Sequence, residues 1–323
     1  MNSISRRTFL AGSAGAAALA LTACGGSGSS DASGDKTYKI GVLQLTQHAA
    51  LDAANEGFVE ALDASGIKYT IDQQNANNDQ SACATIASKL VGDGDDLIFA
   101  IATPAAQAVA AATSDIPIVG SAITDYAASG LVADNDKPGG NLTGTSDMNP
   151  VDDQIAMLQK VLPEAKHIGM LYCTAESNSQ LQIEMAEAAC DKAGLTTERF
   201  TVSSSNEIQS VVESMVGKVD AGYSPTDNTI AAAAAQVGQI AKEGKLPFIT
   251  GEENMCMCMG ICTVSIDYKE LGKMAGEMAV KILRGEDTPA NMAIETEAGD
   301  QLQTIKNEEM AEALGIDLSV LDA

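Results

Sequence analysis

The chain has 323 residues, with 19 Lys and Arg against 44 Asp and Glu, a formal net charge of −25 at pH 7. A surface of that sign repels phosphate backbones and anionic headgroups, so nucleic acid is not an expected partner. Aromatic residues make up only 3% of the chain and Trp is absent, which disfavours the stacked ring platforms of many sugar-binding clefts.

Ser5-Arg6-Arg7-Thr8-Phe9-Leu10 places an Arg pair before an uncharged stretch over 11–23 that is rich in Ala, Gly and Leu. That order is the one a signal peptide uses, and the stretch is shorter than the ~20 apolar residues needed to span a bilayer. It ends in Leu21-Thr22-Ala23-Cys24, which resembles the lipobox of bacterial lipoproteins. The Arg pair resembles a twin-arginine signal, with ordinary secretion as the alternative. Residues 1–23 are expected to be removed and Cys24 to carry acyl chains such as palmitate. Residues 24–36 then form a flexible Gly/Ser/Asp tether at the outer face of the cytoplasmic membrane.

Beyond Lys36 short apolar runs alternate with stretches at helical spacing. A strand is expected over 39–45, then a helix whose stripe is Leu51, Ala54, Phe58, Ala61 and Leu62 and which Gly66 closes. Strands over 69–73, 97–102 and 116–123 follow, with helices over 81–91 and 105–112 between them. Residues 137–147 read as turn-rich. The pattern then restarts with helices over 151–161, 179–193, 207–216 and 228–243 and strands over 167–173, 196–202, 220–223 and 247–250. A strand over 262–266, a helix over 271–283, a strand over 301–305 and a helix over 308–314 complete the chain. Repeated β-α alternation means α/β architecture, with two doubly wound parallel-sheet lobes. In such sheets ligands bind beyond the C-terminal ends of the strands.

Five motifs stand in one order: Gly41-Val42-Leu43-Gln44-Leu45 leading to His48, Ile101-Ala102-Thr103-Pro104-Ala105-Ala106, Pro138-Gly139-Gly140-Asn141-Leu142-Thr143-Gly144, Pro225-Thr226-Asp227-Asn228, and Ser265-Ile266-Asp267-Tyr268. Together they resemble a group of ABC-transporter solute-binding proteins of the type I periplasmic-binding fold, which includes tryptophan- and tyrosine-binding members. The resemblance implies two lobes joined by three crossings, near 145–147, 263–266 and 287–290, which close around a small solute. Lobe 1 would hold 37–146 and 264–287, and lobe 2 would hold 147–263 and 288–323. It also implies a permease and a separate ATPase, since this chain has no Gly-x-x-x-x-Gly-Lys-Ser/Thr loop. No cofactor and no catalysis are expected. Without a Gly-x-Gly-x-x-Gly after the first strand, and with only two histidines, no enzyme site can be assembled. A sensory receptor is the alternative to an uptake component.

Within that frame the expected ligand is a small zwitterion, above all an amino acid. The helix N-terminus at Thr103-Pro104-Ala105 suits a carboxylate, received by the Thr103 hydroxyl and the amides of Ala105 and Ala106. Asp125, Asp227 and Glu252 follow strand ends and are candidates for the ammonium group, although each also suits a helix cap or a solvated loop. Gln47 and His48, Thr124, Ser177 and Asn178, and Thr226 are the polar candidates around them. Tyr126, Tyr172 and Tyr223 are the rings nearest strand ends and candidates to line a side-chain pocket, although a buried strand position is the commoner fate for residues placed like Tyr172 and Tyr223.

Met255-Cys256-Met257-Cys258-Met259-Gly260-Ile261-Cys262 departs from the family pattern. Three closely spaced thiols suit a soft metal or a disulfide, and Met and Cys also serve as core hydrophobes. The sequence leaves these three readings open.

Overall fold

The computed structural model describes residues 36–297 and 299–322. The expected signal peptide, the lipidated Cys24 and the tether up to residue 35 lie outside the described residues.

The first half builds β1 (Thr37–Gln44), α1 (Ala49–Ser65), β2 (Lys68–Asn75), α2 (Gln80–Asp93), β3 (Leu97–Ile101), α3 (Thr103–Ala112), β4 (Ile118–Ile123) and β5 (Leu142–Ser146). These five strands form a parallel sheet of order β2-β1-β3-β4-β5. Next come α4 (Val151–Val161), β6 (His167–Cys173), α5 (Ser177–Lys192), β7 (Thr196–Val202), α6 (Ile208–Met215), β8 (Ala221–Ser224), α7 (Asn228–Ala232) and α8 (Ala234–Gly244). The chain continues with β9 (Phe248–Thr250), α9 (Glu253–Met259), β10 (Cys262–Ser265), α10 (Tyr268–Leu283), β11 (Gln303–Lys306) and α11 (Glu308–Leu314). The second sheet has order β11-β10-β9-β8-β6-β7 and is parallel except at its edge, where β11 runs antiparallel to β10. Each sheet reverses its winding beside a first strand, β1 or β6, which opens a crevice at the carboxyl ends of the strands.

The first lobe is held by Ile40, Leu43, Phe58, Leu62 and Phe99 packed against Leu271 and Ala275 of α10. Helices α1 and α10 come from opposite ends of the chain and touch through backbone. A Cβ at Gly272 would lie 1.9 Å from the Ala54 carbonyl oxygen. In the second lobe α4 and α5 cover one sheet face, with α11 beside them, and α6, α8 and α9 cover the other.

Three elements differ from the sequence reading. The turn-rich segment 137–147 contains β5. Its Gly144 sits at φ 150°, where a Cβ would lie 2.1 Å from the Gly120 carbonyl oxygen, so glycine is what lets β5 pair closely with β4. The helix expected over 228–243 breaks at Ala233 (φ −113°, ψ 12°) into α7 and α8. The Met/Cys segment forms α9, with Met255, Cys256 and Met259 inward and Met257 and Cys258 exposed. Sulfur at nearly every position hides that helical period.

The crossings also shift. Strand β10 lies wholly in the second sheet, so the lobe boundary falls after Ser265, not before Val264. Residues 288–297 stay with the first lobe, not the second. Ile294 N–H donates to Asn135 O (2.8 Å), Glu295 N–H to Gly144 O (3.1 Å) and Ser146 N–H to Glu295 O (2.7 Å). This segment satisfies backbone groups that edge strand β5 would otherwise leave unpaired. The third crossing therefore falls after Glu297 instead of near 287–290.

Substitution Gly272→Ala forces α1 and α10 apart, and that strain exceeds the ~1 kcal/mol of helix propensity that alanine adds. We expect a net loss of about 1–3 kcal/mol, read as a lower urea midpoint with unchanged slope.

Candidate functional site

Both sheets direct their carboxyl ends at one interlobe cavity, closed down to room for about one water molecule. The first lobe contributes His48, Ala50 and Leu51 from the start of α1, and Ala122 from the end of β4. The second contributes Asn178, Thr226, Asp227, Asn228, Ala231, Glu252 and Met255, and the crossings contribute Asp147 and Tyr268. Ala122 has φ 56°, an uncommon conformation for a residue with a Cβ and one that clusters at functional sites.

Of the expected residues, His48, Asn178, Thr226, Asp227 and Glu252 meet here. Gln47 and Ser177 are exposed and do not line the cavity. Asp125 accepts N–H bonds from Ala128 (2.9 Å) and Asn135 (3.0 Å), so it caps a local turn. Thr124 is buried just behind the wall, its Oγ1 accepting from Gln182 Nε2 (3.2 Å). Thr103, Ala105 and Ala106 are buried outside the lining residues, and the Ala106 amide is committed to the Ala102 carbonyl (3.1 Å). The nearby helix start that does face the cavity is that of α1. His48 precedes it in extended conformation and makes no side-chain cap, leaving the first-turn amides for a guest.

Asp227 and Glu252 do reach the cavity, but both act as helix caps. Asp227 Oδ1 accepts from Ile230 N–H (2.9 Å) and Oδ2 from Cys173 N–H (2.6 Å). Glu252 accepts from Met255 N–H and Asn254 N–H, both at 2.6 Å. Of the rings, Tyr126 and Tyr223 spend their hydroxyls on Thr145 O (3.0 Å) and Gln154 Oε1 (2.8 Å), and neither they nor Tyr172 line the cavity. The ring at the wall is Tyr268.

Sequence reasoning missed Asp147, Tyr268, Asn228 and Glu176. Glu176 is 2% exposed and braces the start of α7, accepting from Asn228 N–H (3.1 Å), Asn228 Nδ2 (2.6 Å), Thr229 N–H (2.9 Å) and the Thr229 hydroxyl (2.7 Å). Tyr268 donates its hydroxyl to Asp147 Oδ2 (2.9 Å), and Ile266 N–H donates to Asn149 Oδ1 (3.1 Å), so the first two crossings are bonded to each other. The signal for Tyr268 was present, since it ends the fifth motif.

Burial dominates the electrostatics. It pushes Asp227 up to about 8, helped by the negative charge of Glu176. It pushes Glu252 up to about 7, and Asp147 up to about 6 against the opposing pull of the Tyr268 and Thr124 hydroxyls. Burial holds the His48 pKa down. No Lys or Arg is among the described residues that line the cavity.

The lobes are drawn together. His48 Nε2 and Asn228 Oδ1 are 3.2 Å apart, Asn78 Nδ2 donates to Thr229 Oγ1 (2.9 Å), and Gln80 Nε2 donates to Ala175 O (2.8 Å). As for the Met/Cys segment, Cys83, Cys173, Cys190, Cys256, Cys258 and Cys262 are all unpaired. Among the described residues no group of three or more His, Cys, Asp or Glu is placed to hold a metal ion.

Two wound lobes, three crossings and a closed interlobe cavity define a type I periplasmic-binding architecture. Residues 39–320 match the family model of the ABC transporter substrate binding proteins, and the chain belongs to that family. A tyrosine-binding protein of Clostridioides difficile (strain R20291) is 39% identical over 300 residues, 88% of this chain and 87% of that one. A crystal structure from Streptococcus pneumoniae in complex with L-Trp superposes with a TM-score of 0.85 at 41% identity, covering 89% of this chain and 98% of that one. A ligand-free, open substrate-binding protein with adhesive properties from Clostridium difficile gives 0.66 at 42% identity, covering 87% and 95%. At nearly equal identity, the lower score against the open form is what a difference in lobe separation produces. These relatives are substrate-binding proteins, and this chain is a binding protein, not an enzyme.

A buried acid with a raised pKa holds its proton more tightly in the folded state than in the unfolded chain, so folding stability falls as pH rises through that pKa. His48 acts in the opposite sense, but only below its ordinary value of 6.5. We expect the Tm of the ligand-free protein to fall between about pH 6 and 8 in scanning calorimetry, and the fall to shrink in Asp227→Asn.

Proposed function

We propose that this chain is the lipid-anchored, extracytoplasmic component of an ABC importer and that it captures a free aromatic amino acid of the tyrosine or tryptophan class. One observation carries the ligand reading: three buried carboxylates line the cavity and no basic side chain among the described lining residues balances them. Burial without a counter-ion pushes these acids toward their protonated forms, and a cationic group such as an α-ammonium is what restores and pairs the ionised form. The uncapped start of α1 suits the carboxylate of the same molecule. Leu51, Ala122, Ala231, Met255 and the Tyr268 ring offer an apolar surface to a side chain. The relatives that bind tyrosine and L-Trp support the aromatic class.

Family membership supports delivery to a permease with a separate ATPase. The signal-like residues 1–23 and Cys24 support export and acyl anchoring, by either the twin-arginine or the general route. No helix among the described residues is long and apolar enough to cross a membrane.

Calorimetric titration against the common amino acids should show Tyr or Trp binding at about micromolar Kd, roughly −8 kcal/mol, and at least tenfold tighter than Ala. Equal binding of all of them, or binding of a sugar alone, overturns the reading. In the native host, Cys24→Ala should move the protein from the membrane fraction to the soluble fraction.

A further inference from the structure

We infer that the cavity is built for a primary ammonium group, gripped by His48 Nδ1, Asp147 Oδ1 and Asn178 Oδ1. Seven buried side-chain polar atoms have no hydrogen-bond partner among the described residues, and these three all belong to side chains that line the interlobe cavity. Orphaned buried polar atoms are rare in folded proteins, and three on side chains that line one space mark a guest.

All three are acceptors. Asp147 Oδ1 is a carboxylate oxygen whose companion Oδ2 already takes the Tyr268 hydroxyl. The amide of Asn178 is oriented by its Nδ2, which donates to Thr226 O (3.1 Å), so the group left over is the oxygen. The ring of His48 is fixed by a chain of bonds. Asn228 Nδ2 donates to Glu176 Oε2 (2.6 Å), which makes the other end of that amide an acceptor, and His48 Nε2 faces it at 3.2 Å. Nε2 therefore carries the proton of the neutral ring, the form that burial favours, and in that form Nδ1 is a bare lone pair.

Three acceptors answer the three N–H bonds of an –NH3+ group. The other acids of the region are oriented elsewhere, since Asp227, Glu252 and Glu176 already accept backbone or side-chain N–H bonds through both oxygens. Their oxygens are spent on these bonds, while Asp147 keeps one free for contact. Asp147 also lies on the first crossing, and its other oxygen holds the start of α10 beyond the second. An ammonium at Oδ1 thus sits on the hinge itself, with His48 from one lobe and Asn178 from the other.

This inference rests on the amino-acid reading above, and the test separates the two. The full mature chain is titrated with L-Trp or L-Tyr, the N-methyl and N,N,N-trimethyl derivatives of the one that binds, and its des-amino acid. N-methylation, which removes one donor, should weaken binding about tenfold, and trimethylation or loss of nitrogen at least about 100-fold, because the acceptors are then left unpaired. Asp147→Asn should weaken the parent amino acid about 100-fold while leaving the des-amino acid within threefold of its wild-type value. Trimethylated ligand within threefold of the parent, or Asp147→Asn within threefold of wild type for the parent, overturns the grip. The ligand series on the unmodified chain decides between grip and no grip even where the variant fails to fold. If neither aromatic amino acid binds but another primary amine does, with the same loss on methylation, the aromatic reading falls and the grip stands. If no primary amine binds, both fall.

Discussion

Burying carboxylates without a cation is the constraint on which this architecture turns. An ionised acid removed from water is costly unless donors or a counter-charge replace its hydration. Here the second lobe meets part of that cost with helix starts. Asp227, Glu252 and Glu176 each accept N–H groups at the beginning of a helix, so peptide dipoles and local caps offset part of the cost of ionising them. What the caps leave unmet is the net charge of the closed cavity. Each lobe alone can wet its acids, whereas the closed pair cannot. Closure therefore carries an electrostatic penalty that a suitable cation removes, and ligand-driven closure follows from ordinary differential affinity for two states.

The fold places that constraint where motion is concentrated. Strand ends from both sheets converge on the cavity, and the first two crossings run beside it as short segments bonded to one another through Tyr268 and Asp147 and through Asn149 and Ile266. Rigid bodies lie on either side: a first lobe sealed by backbone contact of α1 with α10, and a second lobe with apolar layers on both sheet faces. Hinge motion between packed units needs only a few element-terminal residues to absorb it.

The wound α/β pattern was legible in the sequence because period is a strong signal. The strands over 167–173 and 196–202 and the helix over 151–161 were read to the residue. Failures came where composition and role diverge. Strand β5 is Gly- and Thr-rich because it must approach β4 closely, and those residues also spell a turn. The 288–297 segment has no period because it pairs as an irregular edge. At the site, Asp227 and Glu252 were found by their position after strands, but one sequence cannot distinguish a capping acid from a ligating one. Asp147 was missed because β5, the strand it directly follows, reads as a turn, and Thr103 drew attention because a Thr-Pro helix start looks the same whether or not it faces a cavity.

The placement of the two ends of the described chain has a practical consequence. Strand β1 opens the first sheet, whereas α11 and Leu318 close against the second. The termini therefore ride on separate moving bodies, and a pair of fluorophores attached near them converts each opening and closing into a change of energy-transfer efficiency. The molecule is thus already wired as a single-chain optical sensor for whatever its cleft selects.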